Sequence, residues 1–347
     1  MVVFLVSMLL AKLKNLFITI SRSEQNLDLS FIFQALDKTD LQEEAFQALA
    51  LYGKKIFPPV EKMLSNPNVS VNRRKALIRF LGLLPSGEGK QVLLRSLYLP
   101  DIKLRKEVLQ SILDSKIVWV AQKRKRILLD GIKKDILWWH LLNKNIQQCR
   151  QPPVSALGDS FAFLRRSFDE MRQDLRTLVL GQLILLKPTI LVKKTVGILH
   201  GVPSQRFISA AGILQDLLPG RFYRLIKPVL LAPLVDSEED KALLMDEVEA
   251  KHFLEQLILN PSFPVDRWMV ASALYGLQKI GDQQSEIVLD TAFSSSSSVV
   301  LEAALEVLVH IKPNKKDQEI YLKHQLQQVP KKLNLEAYLK RRKDDYV

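Results

Sequence analysis

The sequence predicts an all-α protein arranged as an α-solenoid of about seven to nine stacked helical hairpins. The first observation is an apolar stripe at i, i+3, i+4 and i+7, the spacing that lines one face of a helix with 3.6 residues per turn. It occurs at Ala45, Ala48, Leu49 and Tyr52; at Leu77, Phe80, Leu81 and Leu84; in shorter form at Leu109, Ile112 and Leu113; and more loosely at Val179, Leu183 and Leu186. It returns at Ala210, Ile213, Leu214 and Leu217; at Val270, Ala273, Leu274 and Leu277; and at Leu301, Ala304, Leu305 and Leu308. The second observation is the interval between first members, which is 32, 32, 70, 31, 60 and 31 residues. Since 70 and 60 are each close to two periods, a degenerate unit is expected in each gap, one led by Trp138, Leu141 and Leu142, the other by Leu244, Met245 and Val248. The third is composition: 47% hydrophobic residues and only 13 glycines in 347 residues suit packed helices. A lone αα unit cannot bury its apolar faces, so neighbours of the same kind are required. The competing reading is an irregular helical bundle with chance periodicity.

Residues 1–20 are the most hydrophobic stretch, but the unbroken apolar run from Val2 to Ala11 is ten residues, and Lys12 and Lys14 interrupt the remainder. A spanning helix takes about 20 apolar residues. Three readings stay open for this stretch: a helix capping the stack, an in-plane membrane helix, or the end of a longer transmembrane segment. Residues 27–39 predict a helix with Leu29, Ile32, Phe33 and Leu36 on one face. Over 40–116, Phe57-Pro58-Pro59 opens a helix, Asn66-Pro67-Asn68 ends it and Pro85-Ser86-Gly87 separates the next pair, because proline is tolerated in a first turn and breaks an interior. Gln151-Pro152-Pro153 to Gly158 reads as a loop and as the best internal boundary, dividing basic repeats in 21–150 from further repeats in 159–311. Within the second set, Gln205 to Asp236 reads as a helix, a break at Pro219-Gly220 and a second helix with Phe222, Leu225, Ile226 and Val229 inward, ending near Pro233. Next come an acidic loop and a helix over Leu243–Leu259, then two repeats joined by a loop at Ser294–Ser298. The segment 312–347 is a polar, basic cap and tail.

Net charge is +13 and uneven: residues 1–150 carry 25 Lys/Arg against 13 Asp/Glu, and residues 231–310 carry 4 against 14. That polarity differs from a uniformly basic nucleic-acid binder. The densest basic stretch, Lys123, Arg124, Lys125 and Arg126 with Lys133 and Lys134, is interleaved with Trp119, Trp138 and Trp139. Basic residues with aromatics suit phosphate neutralisation and base stacking, or an anionic membrane surface. The alternative is a solvated helix face with core tryptophans. These nine residues are the candidate interaction surface.

No catalytic, cofactor-binding or metal-ligating set is expected. Ser86-Gly87-Glu88-Gly89-Lys90 lacks the spacing of a phosphate loop and reads as a hairpin turn. His140, His200, His252, His310 and His324 are dispersed. Cys149 is the only cysteine, which removes any disulfide framework and fits a reducing compartment. Its neighbour Arg150 would favour the thiolate.

A short polar lead, a basic residue and a small residue recur, as in Asn72-Arg73-Arg74-Lys75-Ala76, Asp101-Ile102-Lys103-Leu104-Arg105 and Asp266-Arg267-Trp268. This resembles the short bacterial HEAT-like repeat. From about Phe161 to Ile311 the order of features is similar to the HEAT-repeat region C-terminal to the membrane part of bacterial ATP/ADP-translocase-like transporters of the major facilitator type. The segments that carry it are Leu175 to Gly181, Ser209 to Pro219, Leu225-Ile226-Lys227-Pro228 and Leu234-Val235-Asp236, with Gly212 where that family has Glu. The resemblance covers under half the chain and implies no transport, since no transporter body is present. It implies that residues 1–20 could be the remnant of a membrane helix.

The expected function is a non-enzymatic HEAT-like scaffold that binds a protein partner, in the cytoplasm and against the inner face of a membrane, with anionic lipid as a second partner class. The runner-up is a basic nucleic-acid-binding protein of the HEAT-like DNA-glycosylase kind, in which Trp119, Trp138 or Trp139 would serve with Asp130 or Asp135. A phycobilin-lyase-like protein is a more distant alternative.

Overall fold

The structure is a computed structural model that describes residues 29–85, 87–115, 125–149, 159–201, 205–235, 247–259, 265–280, 286–295 and 297–311. The described residues are all-α and contain no strand. The helices are α1 Leu29–Ala35, α2 Gln42–Leu51, α3 Phe57–Ser65, α4 Val71–Leu83, α5 Gly87–Arg95, α6 Ile102–Asp114, α7 Lys125–Cys149, α8 Asp159–Leu186, α9 Ile190–Leu199, α10 Gln205–Leu217, α11 Gly220–Val235, α12 Glu247–Leu259, α13 Arg267–Ile280, α14 Glu286–Phe293 and α15 Ser298–Ile311. Short 3-10 turns at Thr39–Leu41, Gly53–Ile56 and Ser96–Tyr98 join some of them.

Two of the three polar leads, at Asp101 and Asp266, work as N-caps, whereas Asn72 lies inside α4 and Ser70 caps that helix; Thr189 caps α9. Ser70 accepts from the amide of Arg73 at 3.1 Å, Asp101 from Leu104 at 3.1 Å, Thr189 from Val192 at 3.2 Å, and Asp266 from Trp268 and Met269 at 2.9 Å each. A helix start leaves backbone N–H groups without intrahelical partners, and these side chains satisfy one or two of them. The two prolines after Phe57 occupy the first turn of α3, where no N–H is needed.

The residues form two compact units, one of residues 1–139 and 173–238, the other of 140–172 and 239–347. The loop expected at 151–158 lies outside the described residues, and the division between the units does not test it. That division falls within α7 and α8, helices of 25 and 28 residues that each contribute to both units.

In the first unit the stripe helices meet in sequence. Phe46 of α2 lies 5.7 Å from Phe80 of α4, ring centre to ring centre. Helix α4 packs on α6, where Ser111 Oγ donates to the Ile78 carbonyl at 3.4 Å and Lys75 pairs with Glu107 at 2.9 Å. Helix α6 meets α8 through Lys106 and Asp174 at 2.5 Å. Helix α8 meets α10 through the Arg176 guanidinium, 5.7 Å above the Phe207 ring. The intervening α3 and α5 also pack on each other. In the second unit α13 packs on α15 and α12 on α14, while Phe168 of α8 meets Phe253 of α12 edge to face at 6.4 Å.

The stripes are core as expected: Ala45, Leu49, Leu77, Leu81, Leu109, Ile112, Val179, Leu183, Ala210, Leu214, Ala273, Leu274, Leu301 and Leu305 are all buried. Tyr52, Leu84, Leu113, Leu186, Leu217 and Val270 are only half-buried, and Ile213 is 37% exposed.

Four details bear on the sequence-based expectations. In the 70-residue interval α7 is one continuous helix that buries Trp138 and Leu142, and α8 packs on α6; residues 116–124 and 150–158 lie outside the described residues. Second, α11 ends at Val235, close to the expected Pro233, but passes through Pro228 and buries Tyr223 with Ile226, Val229 and Leu230, whereas Phe222 and Leu225 are half-buried. Pro228 is exposed, so water can satisfy the Arg224 carbonyl that a proline leaves unbonded. Third, Val248 is 75% exposed and Leu244 and Met245 lie outside the described residues; α12 buries Ala250, Phe253, Leu254 and Leu257 instead. Fourth, Gly87 to Lys90 are the first turn of α5 and not a hairpin turn.

Gly181 sets the closeness of α8 and α6. A Cβ there would come within 2.3 Å of Leu109 Cδ2 and 3.1 Å of its Cγ. Gly181→Ala is expected to lower stability by roughly 1–3 kcal/mol, the usual range for overpacking. Leu109→Ala alone should cost roughly 2–5 kcal/mol, and the double variant should lose less than the sum of the two single changes. Urea unfolding of the single and double variants, monitored by circular dichroism, measures both; strictly additive losses would mean the two side chains do not meet.

Candidate functional site

Residues Lys125, Arg126, Lys133 and Lys134 lie on α7 and are exposed. Arg126, Asp130, Lys133 and Leu137 fall at i, i+4, i+7 and i+11, so they form one solvent stripe along the helix, with Leu137 at 58% exposed. Lys133 approaches Asp130 at 3.8 Å, both more than half exposed, an arrangement of little energetic weight. Lys123, Arg124 and Trp119 lie outside the described residues.

Trp138 and Trp139 belong to the core side of the same helix, at 9% and 4% exposed. Their rings are not stacking platforms for bases in this structure. Lys134 Nζ lies 4.4 Å from the centre of the Trp138 ring, and the Arg105 guanidinium lies 5.8 Å from it. The ring is thus flanked by two cations, one exposed and one in the core.

Below this face lies a buried polar network. Arg105, 1% exposed, donates to both carboxylate oxygens of Asp135 at 2.7 Å each, and its Nε donates to the Leu97 carbonyl. Asp135, with no exposed surface, also accepts from Gln182 Nε2 at 2.7 Å. Helices α6, α7 and α8 are joined through this one carboxylate. Gly131, one turn before Asp135, lets the Tyr98 ring and the Gln182 amide approach, since a Cβ there would meet them at 2.8 and 3.0 Å. The Tyr98 hydroxyl donates to the Ile127 carbonyl at 2.6 Å; burial pushes its pKa up to about 12, only partly offset by the nearby Arg105 charge.

These positions are legible as anomalies. Arg105 falls in line with Leu109 and Ile112, Asp135 with Leu128, Ile132 and Trp139, and Gln182 with Leu175, Leu178 and Leu185. A polar residue on the apolar stripe of each of three successive helices signals an internal partner, although the stripes alone do not say which residues pair. The arrangement also decides what Asp135 can do. A carboxylate that accepts from three donors with no solvent contact is a structural anchor, and the DNA-glycosylase reading loses one of its two candidate carboxylates. The other, Asp130, is exposed.

Cys149 is buried near the end of α7. Burial pushes its thiol well above the ordinary range; the Arg165 charge opposes this, and the Asp169 carboxylate adds to it. The sequence neighbour Arg150 lies outside the described residues. In the second unit Arg172 donates to Asn143 and pairs with Asp169, each at 3.1 Å, tying α8 to α7 there. Among the described residues no three His, Cys, Asp or Glu side chains converge as metal ligands, and no helix is long and apolar enough to cross a membrane.

Comparison with protein-family models, with curated proteins and with solved structures returned no match.

Two outcomes are expected. Arg105→Leu or Asp135→Leu alone should cost about 3–5 kcal/mol, because each strands a buried charge, whereas Arg105→Met with Asp135→Leu should cost less than either. Chemical denaturation of the three variants tests this, and a double variant no better than the singles would refute the pairing. Cys149 should resist a thiol reagent at pH 8 in the native protein and react fully in denaturant. Rapid native labelling would place the thiol at the surface.

Proposed function

We propose that this protein is a non-enzymatic, HEAT-like α-solenoid scaffold that holds an acidic protein partner against the basic face of α7. Its expected site of action is the cytoplasmic side of a membrane. The observation that carries the reading is the contact between residues about one repeat apart. Arg73 pairs with Asp37, Arg95 with Glu61 at 2.6 Å, Lys54 with Glu88 at 2.8 Å, Lys75 with Glu107 at 2.9 Å and Arg105 with Asp135 at 2.7 Å. Sequence separations of 36, 34 and 30 residues for the hydrogen-bonded pairs among these match the stripe interval. Chains in which each repeat touches the next present long, regular surfaces suited to binding other macromolecules. The exposed cations of α7 supply attraction and orientation for an acidic partner.

A protein partner is favoured over a nucleic acid because Trp138 and Trp139 are buried, so that among the described residues of α7 neither offers the basic stripe the aromatic platform that single-strand binding uses. The test is quantitative affinity capture from the native cell with the intact chain and with Lys125, Arg126, Lys133 and Lys134 all changed to Glu. A partner recovered by the intact chain should fall at least tenfold with the variant while helix content stays the same. Unchanged recovery, or recovery that nuclease abolishes, would overturn the reading. Fractionation of the same cells after a salt wash, with and without residues 1–20, reports on the membrane part separately.

A further inference from the structure

We propose that helix α9, with the first turns of α11, is a docking face for an anionic lipid bilayer. The inference rests on the reading of the chain as a membrane-side scaffold and deepens it by naming what this face meets. Helix α9 buries Val192, Thr195, Val196 and Leu199 and turns its other side to solvent. On that side Ile190 is 74% exposed, Leu191 47% and Ile198 40%, with Lys193 and Lys194 beside them. Three large aliphatic side chains left in water on a ten-residue helix form an unusual surface. Lys187 Nζ donates to the Leu217 carbonyl at 2.7 Å, which holds the start of α9 beside the turn into α11, where Arg221 and Arg224 are exposed.

The charge of this region is unbalanced. From 187 to 235 the chain has seven Lys/Arg and one acidic residue, Asp216. Among the described residues Lys193, Lys194, Arg221 and Arg224 have no ion pair or hydrogen bond, whereas Arg73, Lys75, Arg95 and Lys106 are each matched by a carboxylate. An acidic polypeptide would answer the cations and leave the aliphatics wet. A nucleic acid would find no aromatic surface, since Phe207 and Tyr223 are buried and Phe222 is half-buried. An anionic bilayer satisfies both features: the aliphatics enter the boundary between headgroups and acyl chains, and the cations stay at phosphate depth.

The test uses the full chain with Ile190→Cys carrying an environment-sensitive dye; the buried Cys149 leaves the new thiol as the reactive one. A reference chain carries the dye at Leu83→Cys on α4, a comparably exposed leucine at 69%. Vesicles containing phosphatidylserine should shift the emission of the dye at 190 to the blue, and vesicles of phosphatidylcholine alone should not. The dye at 83 should stay unchanged with both. Lys193→Gln with Lys194→Gln in the labelled chain should weaken the vesicle titration about thirtyfold. If Ile190→Cys does not fold, Leu191→Cys takes its place. Vesicle pelleting without a blue shift at either position would assign membrane binding to another part of the chain and overturn the proposal. So would a blue shift produced by polyglutamate or an oligonucleotide and not by vesicles. Capture of a partner through α7 is read independently, so its loss with an intact blue shift would sink the scaffold reading alone, and the reverse would sink this one alone.

Discussion

The Arg105–Asp135 pair is the constraint on which the first unit depends. Both side chains are fully desolvated, and each would be costly to bury alone. The bidentate geometry, the Leu97 carbonyl and the Gln182 amide together replace the water that both groups lose. Such a pair contributes little net stability compared with an apolar replacement, but it tolerates few alternatives. It accepts one register of α6 against α7 and one of α7 against α8, because a shift of one residue would leave an ion unpaired in the core. Trp138 and Tyr98 pack around it, so the aromatic side chains of this region serve the same anchor.

Close backbone approach works alongside that register. Gly181 lets α8 lie on Leu109 of α6, and Lys106 crosses to Asp174 at the rim of the same contact. The stripe helices α2, α4, α6, α8 and α10 then meet one after another, each providing the apolar surface its predecessor needs. A single helical hairpin has too little buried area to offset the entropy of ordering it, and here the neighbouring helices supply the missing area.

Charge is used in two different ways along the chain. Between Lys54 and Lys106 several cations bridge neighbouring segments and are neutralised within the protein. On α9 and α11 Lys193, Lys194, Arg221 and Arg224 stand unmatched among the described residues, beside exposed aliphatics. Exposed pairs of the first kind are individually weak, so their value lies in matching one helix to the next. Cations of the second kind make no ion pair among the described residues and remain open to an external anion.

The amino-acid sequence by itself determined the helical class, the inward stripes and most helix breaks, because these depend on local periodicity and on side chains within a few residues of one another. It also located the exposed lysines of α7. Tertiary structure decided what lies between the stripes. Which surface α8 finds is not written in its own stripe, and α6 offers that surface through Leu109 and Lys106. Whether Trp138 faces water or core depends on a carboxylate one turn away that finds its arginine 30 residues earlier. The exposure of Ile190, Leu191 and Ile198 was equally hidden: an apolar residue in a helix looks the same in sequence whether a neighbouring helix covers it or not.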